Sequence, residues 1–360
     1  MTADLETVDS LDMFGATFAL ADQVERAAAV ARGVDNLPSA EGATAVVVMG
    51  MGGSGIGGDV AAAVAAPNGT LPVIVSKHYE CPGWVGPDTV VMASSFSGNT
   101  EETITAASAA QAVGARMIVL ASGGRLAELA GDWNAPLVRF DPRIPMPRSG
   151  IGAVSVTPLV LLGRLGVLGG VDEQVSAALD QIRTRAAELS GGVPAGTSPQ
   201  GGARDVASAV AHRIGRTMPL VYGGGVLGEA AAWRWKGQFN ENPKVPSWPN
   251  RVPELTHNEI AGWAVNGDVT RQVLTLVLLR HDFEHPQVAR RFSIIEELCE
   301  EVVADVLTVR AQGDGLFAQF MDLTLVGDVA SLHLAVSLGV DPGPVPVLDD
   351  IKARLRSAPG

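Results

Sequence analysis

At 360 residues the chain is longer than one ordinary domain, and its 47% apolar and 18% charged content suits packed cores rather than a disordered polymer. A formal charge of −13 and a pI near 4.9 exclude the broad basic surface that nucleic acid requires. They leave room for a small anion held by backbone N–H groups. Met1–Asp12 is acidic and lacks an apolar signal core, and the apolar run from Val154 is broken by Arg164 before it could span a bilayer. Cys81 and Cys299 stand far apart, so neither a disulfide framework nor a zinc cluster is suggested. The expectation is a soluble, cytoplasmic protein with no membrane or nucleic-acid partner.

Residues 1–40 carry a helical stripe through Phe14, Phe18, Ala21 and Val24–Ala28. An alternating series follows. Ala43–Met49, Leu71–Ser76, Thr89–Ala93, Ala115–Ala121 and Leu137–Phe140 read as buried strands, with Ile56–Ala66 and Glu101–Val113 as helices between them. Val171–Leu189 is helical, and Gly191–Gly202 has the Gly/Pro/Ser composition of a linker. The alternation then resumes with strands at Pro219–Tyr222, Val273–Leu279 and Asp305–Arg310, and helices at Val226–Phe239, Val288–Glu301 and Leu316–Leu338. Strands alternating with helices predict parallel sheets covered on both faces, hence an α/β fold of two doubly wound domains. The boundaries expected are a helical segment 1–40, a first α/β domain 41–165, a connecting helix and linker 166–202, a second domain 203–345 and a tail helix 346–360.

Two strand-to-helix turns in the first domain concentrate ligand-binding chemistry. Gly50-Met51-Gly52-Gly53-Ser54-Gly55-Ile56-Gly57-Gly58 lets backbone approach a ligand at a helix N-terminus, which favours an anion. Gly50, Gly52 and Gly55 also satisfy the dinucleotide pattern G-x-G-x-x-G, but the second strand ends Ser76-Lys77-His78, without the acidic residue that would hold a ribose. No Gly-Lys-Ser/Thr follows, which argues against a P-loop. The other turn, Ser94 to Glu102, crowds four hydroxyls together. Asn99 with Glu102 forms a potential capping box, which would account for one cap but not for Ser95, Ser97 and Thr100 together. At the carboxyl ends of neighbouring strands, both turns would meet where open α/β sheets bind ligands.

The pair GMGGSGIGGD and SSFSGNTEET resembles the sugar isomerase (SIS) domain family. The longer match is to bifunctional phosphoglucose/phosphomannose isomerases, which contain two such domains. It continues through Met146-Pro147-Arg148-Ser149-Gly150, Phe239-Asn240-Glu241-Asn242-Pro243-Lys244 and Thr256-His257-Asn258-Glu259-Ile260-Ala261-Gly262-Trp263. This resemblance implies cofactor-free conversion of glucose 6-phosphate, with mannose 6-phosphate as the further aldose, to fructose 6-phosphate through an enediolate. The phosphate would lie against Gly53, Ser54, Ser95, Ser97 and Thr100. Glu241 would be the base that moves the C1/C2 proton, although a loop glutamate is ordinarily just solvated. Arg148 would stabilise the enediolate, where an otherwise unassigned arginine would be a surface cation or an interdomain ion pair. His257 would open the sugar ring and reach the site of a neighbouring subunit, making a homodimer necessary; read alone, it is an exposed or structural histidine. Lys352 corresponds loosely to a family lysine near the sugar. Gly343 stands where the family commonly has a threonine linked to mannose acceptance, and His333 where it has an aromatic.

A non-catalytic phosphosugar sensor on the same fold is the alternative, whose mark would be loss of Glu241 or His257. His281 and His285 around Asp282 and Glu284 suggest a metal, but no third ligand is evident and none is expected. Trp233-Arg234-Trp235-Lys236 reads as an interface or core helix rather than a nucleic-acid stacking platform.

Overall fold

A computed structural model describes residues 8–191 and 205–357. Two short N-terminal helices, α1 (Met13–Phe18) and α2 (Leu20–Gly33), precede a five-stranded parallel sheet. Its strands are β1 (Ala45–Met49), β2 (Val73–Ser76), β3 (Thr89–Ser94), β4 (Arg116–Ala121) and β5 (Leu137–Arg139). Helices α3 (Gly52–Ala65), α4 (Glu101–Ala112) and α5 (Gly124–Asp132) cross over between strands. Then come α6 (Ile151–Arg164), α7 (Val171–Leu189) and α8 (Val206–Ile214). A four-stranded parallel sheet follows, built from β6 (Met218–Gly224), β7 (Trp248–Val252), β8 (Leu274–Arg280) and β9 (Asp305–Arg310). With it come α9 (Gly225–Glu241), α10 (Gly267–Val273), α11 (Pro286–Cys299), α12 (Leu316–Ser337) and α13 (Pro346–Ser357). The linker expected at Gly191–Gly202 lies, beyond Gly191, outside the described residues.

The sheets are ordered β2-β1-β3-β4-β5 and β7-β6-β8-β9, so each reverses direction of growth at one point, between β1 and β3 and between β6 and β8. Strand side chains alternate between two hydrophobic layers. Val46 and Val48 face a large core shared with α6, α9 and α12, whereas Val47 and Met49 join Val91, Val119 and Leu126 on the outer face. Tyr222, Leu276, Leu278 and Phe292 make the corresponding outer layer of the second sheet. Burial on both faces explains why β1 and β3 are apolar without alternation.

β7 has no counterpart among the predicted strands. Its sequence Trp-Pro-Asn-Arg-Val is a poor strand by composition, and it survives because it is an edge strand, paired only with β6, where Pro249 needs no second ladder bond. The cluster at 233–236 divides by face: Arg234 and Trp235 are buried in the core, while Trp233 is exposed with Lys236 over its ring. α12 is long and apolar enough to cross a membrane by length and composition, yet most of it is buried within the fold. Its two acids are paired: Arg185 of α7 grips Asp322 (Nε–Oδ1 2.8 Å, Nη2–Oδ2 3.0 Å), and Arg234 of α9 grips Asp328.

Helix α3 packs so closely on α6 that a Cβ at Gly57 would fall 2.1 Å from the Val154 carbonyl oxygen, whereas a Cβ at Gly237 of α9 would meet nothing within 4 Å. Gly57→Ala should therefore destabilise the protein by about 1–3 kcal/mol through overpacking, and Gly237→Ala should be neutral or stabilise by up to about 1 kcal/mol. Urea unfolding of both variants checks the pair, and equal effects would contradict this packing.

Candidate active site

The two ligand-binding turns meet at the reversal point of the first sheet. β1 runs into Gly50, where a Cβ would fall 2.8 Å from the Ser94 carbonyl oxygen, and Gly52 turns the chain at φ 53° into α3. Ser54 is buried, and its hydroxyl accepts the Phe96 N–H at 3.1 Å, so it fastens one turn to the other. In the second turn the Ser95 hydroxyl lies 2.8 Å from that of Thr100 and accepts the Gly98 N–H at 3.1 Å. Only glycine fits at Gly98: its φ is 71°, and a Cβ would fall 1.7 Å from the Gly123 carbonyl oxygen.

The expected capping box at Asn99 and Glu102 does not form. The N-cap of α4 is Thr100, with no side-chain cap, and the Asn99 side chain instead accepts the Arg125 N–H at 3.0 Å. The left-handed Gly98 and this tie to α5 turn Asn99 away from the helix. Neither α3 nor α4 has a side-chain N-cap. Their first N–H groups are thus left for a ligand beside the buried hydroxyls of Ser54 and Ser95 and the half-buried Thr100, an arrangement suited to a phosphate. Ser97 is exposed at the rim, its hydroxyl accepting the Asn99 N–H at 3.3 Å.

A short 3-10 turn, Pro147–Gly150, lies directly against this crevice. A Cβ at Gly53 would stand 3.5 Å from the Pro147 carbonyl oxygen, and one at Gly150 would strike the Phe96 ring at 2.7 Å. The turn delivers Arg148, only 4% exposed, to the end of α9. Arg148 Nε donates to Asn242 Oδ1 at 2.9 Å, Nη1 stands 3.5 Å from Glu241 Oε2, and Nη2 donates to the carbonyls of Gly343 (2.6 Å) and Pro342. Burial depresses the basicity of this guanidinium and the Glu241 carboxylate opposes the shift, leaving a cation fixed on every arm. Glu241 is the last residue of α9 and only partly covered, so its carboxylate can reach a ligand in the crevice.

Asn242 and Lys244 of the Glu241 motif, with Ser331, Arg234 and Asp328, hold this pair in place. Asn242 Nδ2 donates to the Ser331 hydroxyl at 2.8 Å, and Lys244 Nζ donates to the Asp341 and Asn242 carbonyls at 2.7 and 3.1 Å. Arg234 Nη2 donates to the Arg148 carbonyl at 2.7 Å while binding the Asp328 carboxylate through Nε (3.0 Å) and Nη2 (2.5 Å). Burial pushes the Asp328 carboxyl up, and Arg234 counters it.

Over 95% of this chain and 98% of that protein, the sequence is 32% identical to the bifunctional phosphoglucose/phosphomannose isomerase of Caldicellulosiruptor bescii. The chain belongs to the bifunctional phosphoglucose/phosphomannose isomerase family. The namesake from Aquifex aeolicus is 29% identical over 86% of this chain and 90% of its own. Residues 203–355 match the family described as bacterial phospho-glucose isomerase C-terminal SIS domain. In fold the chain is similar to the C-terminal domain of glucosamine-fructose-6-phosphate aminotransferase from Francisella tularensis, with a TM-score of 0.69, 12% identity, and coverage of 95% of this chain and 100% of that one.

His257 takes no part in these contacts within the chain. It is the exposed last residue of a 3-10 turn, Glu254–His257, and no hydrogen bond among the described residues links it to Glu241 or Arg148. The segment directly after it is anchored: the Glu259 carboxylate accepts from the Tyr222 hydroxyl and from Asn250 Nδ2, tying it to β6 and β7. Burial and then Glu259 push the Tyr222 phenol far above its usual range, so it remains a donor. Glu259 was legible only as part of the histidine motif. Lys352 is exposed on α13 and joins none of these contacts. His285 caps α11 and His281 bonds the Gly224 carbonyl; among the described residues no group of three potential metal ligands occurs. Gly343 contributes its carbonyl to Arg148, and a Cβ there would fall 2.8 Å from Leu11 Cγ, so a threonine would need that leucine to move. His333 packs edge-on to Phe14, ring centroids 5.3 Å apart.

Breaking the Arg234–Asp328 pair leaves an uncompensated buried charge. Arg234→Met should lower stability by about 3–5 kcal/mol, and Arg234→Met with Asp328→Leu should cost less than the two single changes added together. A double-mutant cycle by chemical unfolding checks this; strict additivity would contradict a coupled pair.

Proposed function

We propose that the chain interconverts glucose 6-phosphate and mannose 6-phosphate with fructose 6-phosphate by moving a proton between C1 and C2. The observation that carries this reading is the Arg148–Glu241 pair, held beside a crevice lined with hydroxyls and uncapped helix N-termini. The phosphate binds the backbone around Gly53 and the hydroxyls of Ser54, Ser95, Ser97 and Thr100, which sets the sugar toward the end of α9. Glu241 takes the proton from one carbon and returns it to the other. The Arg148 guanidinium, already oriented by Asn242 and two carbonyls, stabilises the negative oxygen of the enediolate without reorganising. No cofactor is required by this chemistry, and Lys352 would approach the sugar hydroxyls from the tail helix.

Ring opening falls to His257, supplied by a second copy in a homodimer. Its exposure and the lack of any hydrogen bond to Glu241 among the described residues support that assignment, as do the exposed apolar residues Val265 (69%) and Val269 (53%) that follow it. The sensor reading has no observation in its favour, since Glu241, Arg148 and His257 are all present.

A coupled assay on purified protein with glucose 6-phosphate and mannose 6-phosphate tests the chemistry. Turnover should survive a chelator, and Glu241→Gln should reduce kcat by about 10²–10⁴-fold while sugar phosphate still raises the melting temperature. Turnover unchanged in the variant would remove Glu241 from the mechanism. The shared site makes a second prediction. Glu241→Gln and His257→Ala proteins, each nearly inactive, should on dissociation and mixing recover about a quarter of wild-type activity, because the mixed dimer rebuilds one intact site. No recovery, with mixed dimers demonstrably formed, would place His257 outside a shared site.

A further inference from the structure

The second sheet repeats the ligand-binding turn of the first. Gly223, Gly225 and Gly228, at the end of β6 and the start of α9, have the spacing of Gly50, Gly52 and Gly55 after β1. Gly225 turns at φ 59°, as Gly52 does at 53°, each opening a long helix without a side-chain cap. The first and third glycines approach closely in both turns: a Cβ at Gly55 would fall 2.7 Å from the Gly50 carbonyl oxygen, and one at Gly228 would fall 2.8 Å from the Gly223 carbonyl carbon. Both turns stand at the point where strand order reverses, the place where open α/β sheets bind ligands.

The partner turn differs. Where β3 leads into hydroxyls, β8 leads into Arg280, His281 and Glu284. The Glu284 side chain is only 3% exposed, and its carboxylate fills the crevice. Arg280 donates to it through Nε (2.9 Å to each oxygen) and Nη2 (2.7 Å), and the His281 N–H donates at 3.0 Å. The carboxylate carbon lies 3.0 Å from where a Gly224 Cβ would stand, against the start of α9. Arg280 is itself buried, stacked 4.3 Å from the Phe292 ring centroid, and His281 Nε2 donates to the Gly224 carbonyl at 2.8 Å. A guanidinium fork, a backbone N–H and a glycine turn at a helix N-terminus are the groups that hold a phosphate-class oxyanion.

We propose that the crevice between β6 and β8 is a second oxyanion site, closed by the chain's own Glu284 carboxylate, so that each protomer takes one phosphosugar rather than two. Removing that carboxylate opens the site to inorganic phosphate, with Arg280 as the principal cation.

Glu284→Ala and the wild-type protein are titrated with inorganic phosphate by calorimetry at matched ionic strength. The variant should bind one phosphate per chain more than wild type, and phosphate, not chloride, should restore its melting temperature. Adding Arg280→Met should abolish the extra binding. Equal stoichiometry in wild type and Glu284→Ala, or extra binding that survives Arg280→Met, would overturn the proposal. Should Glu284→Ala fail to fold without anions, it is refolded in phosphate and in chloride. Recovery in phosphate alone is expected, and no recovery in either would overturn the proposal too. The readout is a difference from wild type, so it stands whether or not the first crevice binds phosphate.

Discussion

The buried guanidinium of Arg148 is the interaction on which the architecture turns. A cation removed from water must find partners for every arm, or the fold bears several kcal/mol of desolvation. Arg148 comes from the close of the first α/β domain, and its partners come from the end of α9 and the turn after α12. Packing of the elements around the two sheets and assembly of the site therefore depend on the same contacts. Arg234 extends the same logic inward, binding the Arg148 carbonyl with one hand and Asp328 with the other. Asn242 adds a neutral arm, orienting Arg148 while held by Ser331.

Two sheets of like topology give the chain two reversal points, and they are used differently. The first is lined by hydroxyls and two helix N-termini without side-chain caps; the second contains a carboxylate bound by a buried arginine. A duplicated framework thus supplies one crevice facing Arg148 and Glu241 and one that contributes structure. The histidine turn belongs to the second sheet, fixed through Glu259 to Tyr222 and Asn250, which leaves His257 projecting from a rigid base.

Much of this was legible because it is local. The unbroken apolar runs of β1 and β3 announced strands buried on both faces, and glycines between strand and helix announced a close backbone approach. Asn99 failed because capping propensity is indifferent to tertiary context: the Arg125 N–H competed for the same oxygen and won. β7 failed because Pro249 lowers strand propensity everywhere except on an edge, and edge position is a property of the finished sheet. The pairings of Arg234 with Asp328 and of Glu259 with Tyr222 leave no periodic trace. They depend on which elements the fold brings together. Arg148 and Glu241 stand out only through their motifs, and their contact across 93 positions is a tertiary fact.

The central claim is that Arg148 acts as a fixed planar fork, binding the domains' shared turn and facing the developing charge together. Arg148→Lys tests it most directly, since lysine keeps the charge and loses the fork. With glucose 6-phosphate as substrate, the account predicts a kcat lower by about 10²–10³-fold, with sugar-phosphate binding by the serine turns nearly unchanged. Turnover within a few-fold of wild type would contradict it.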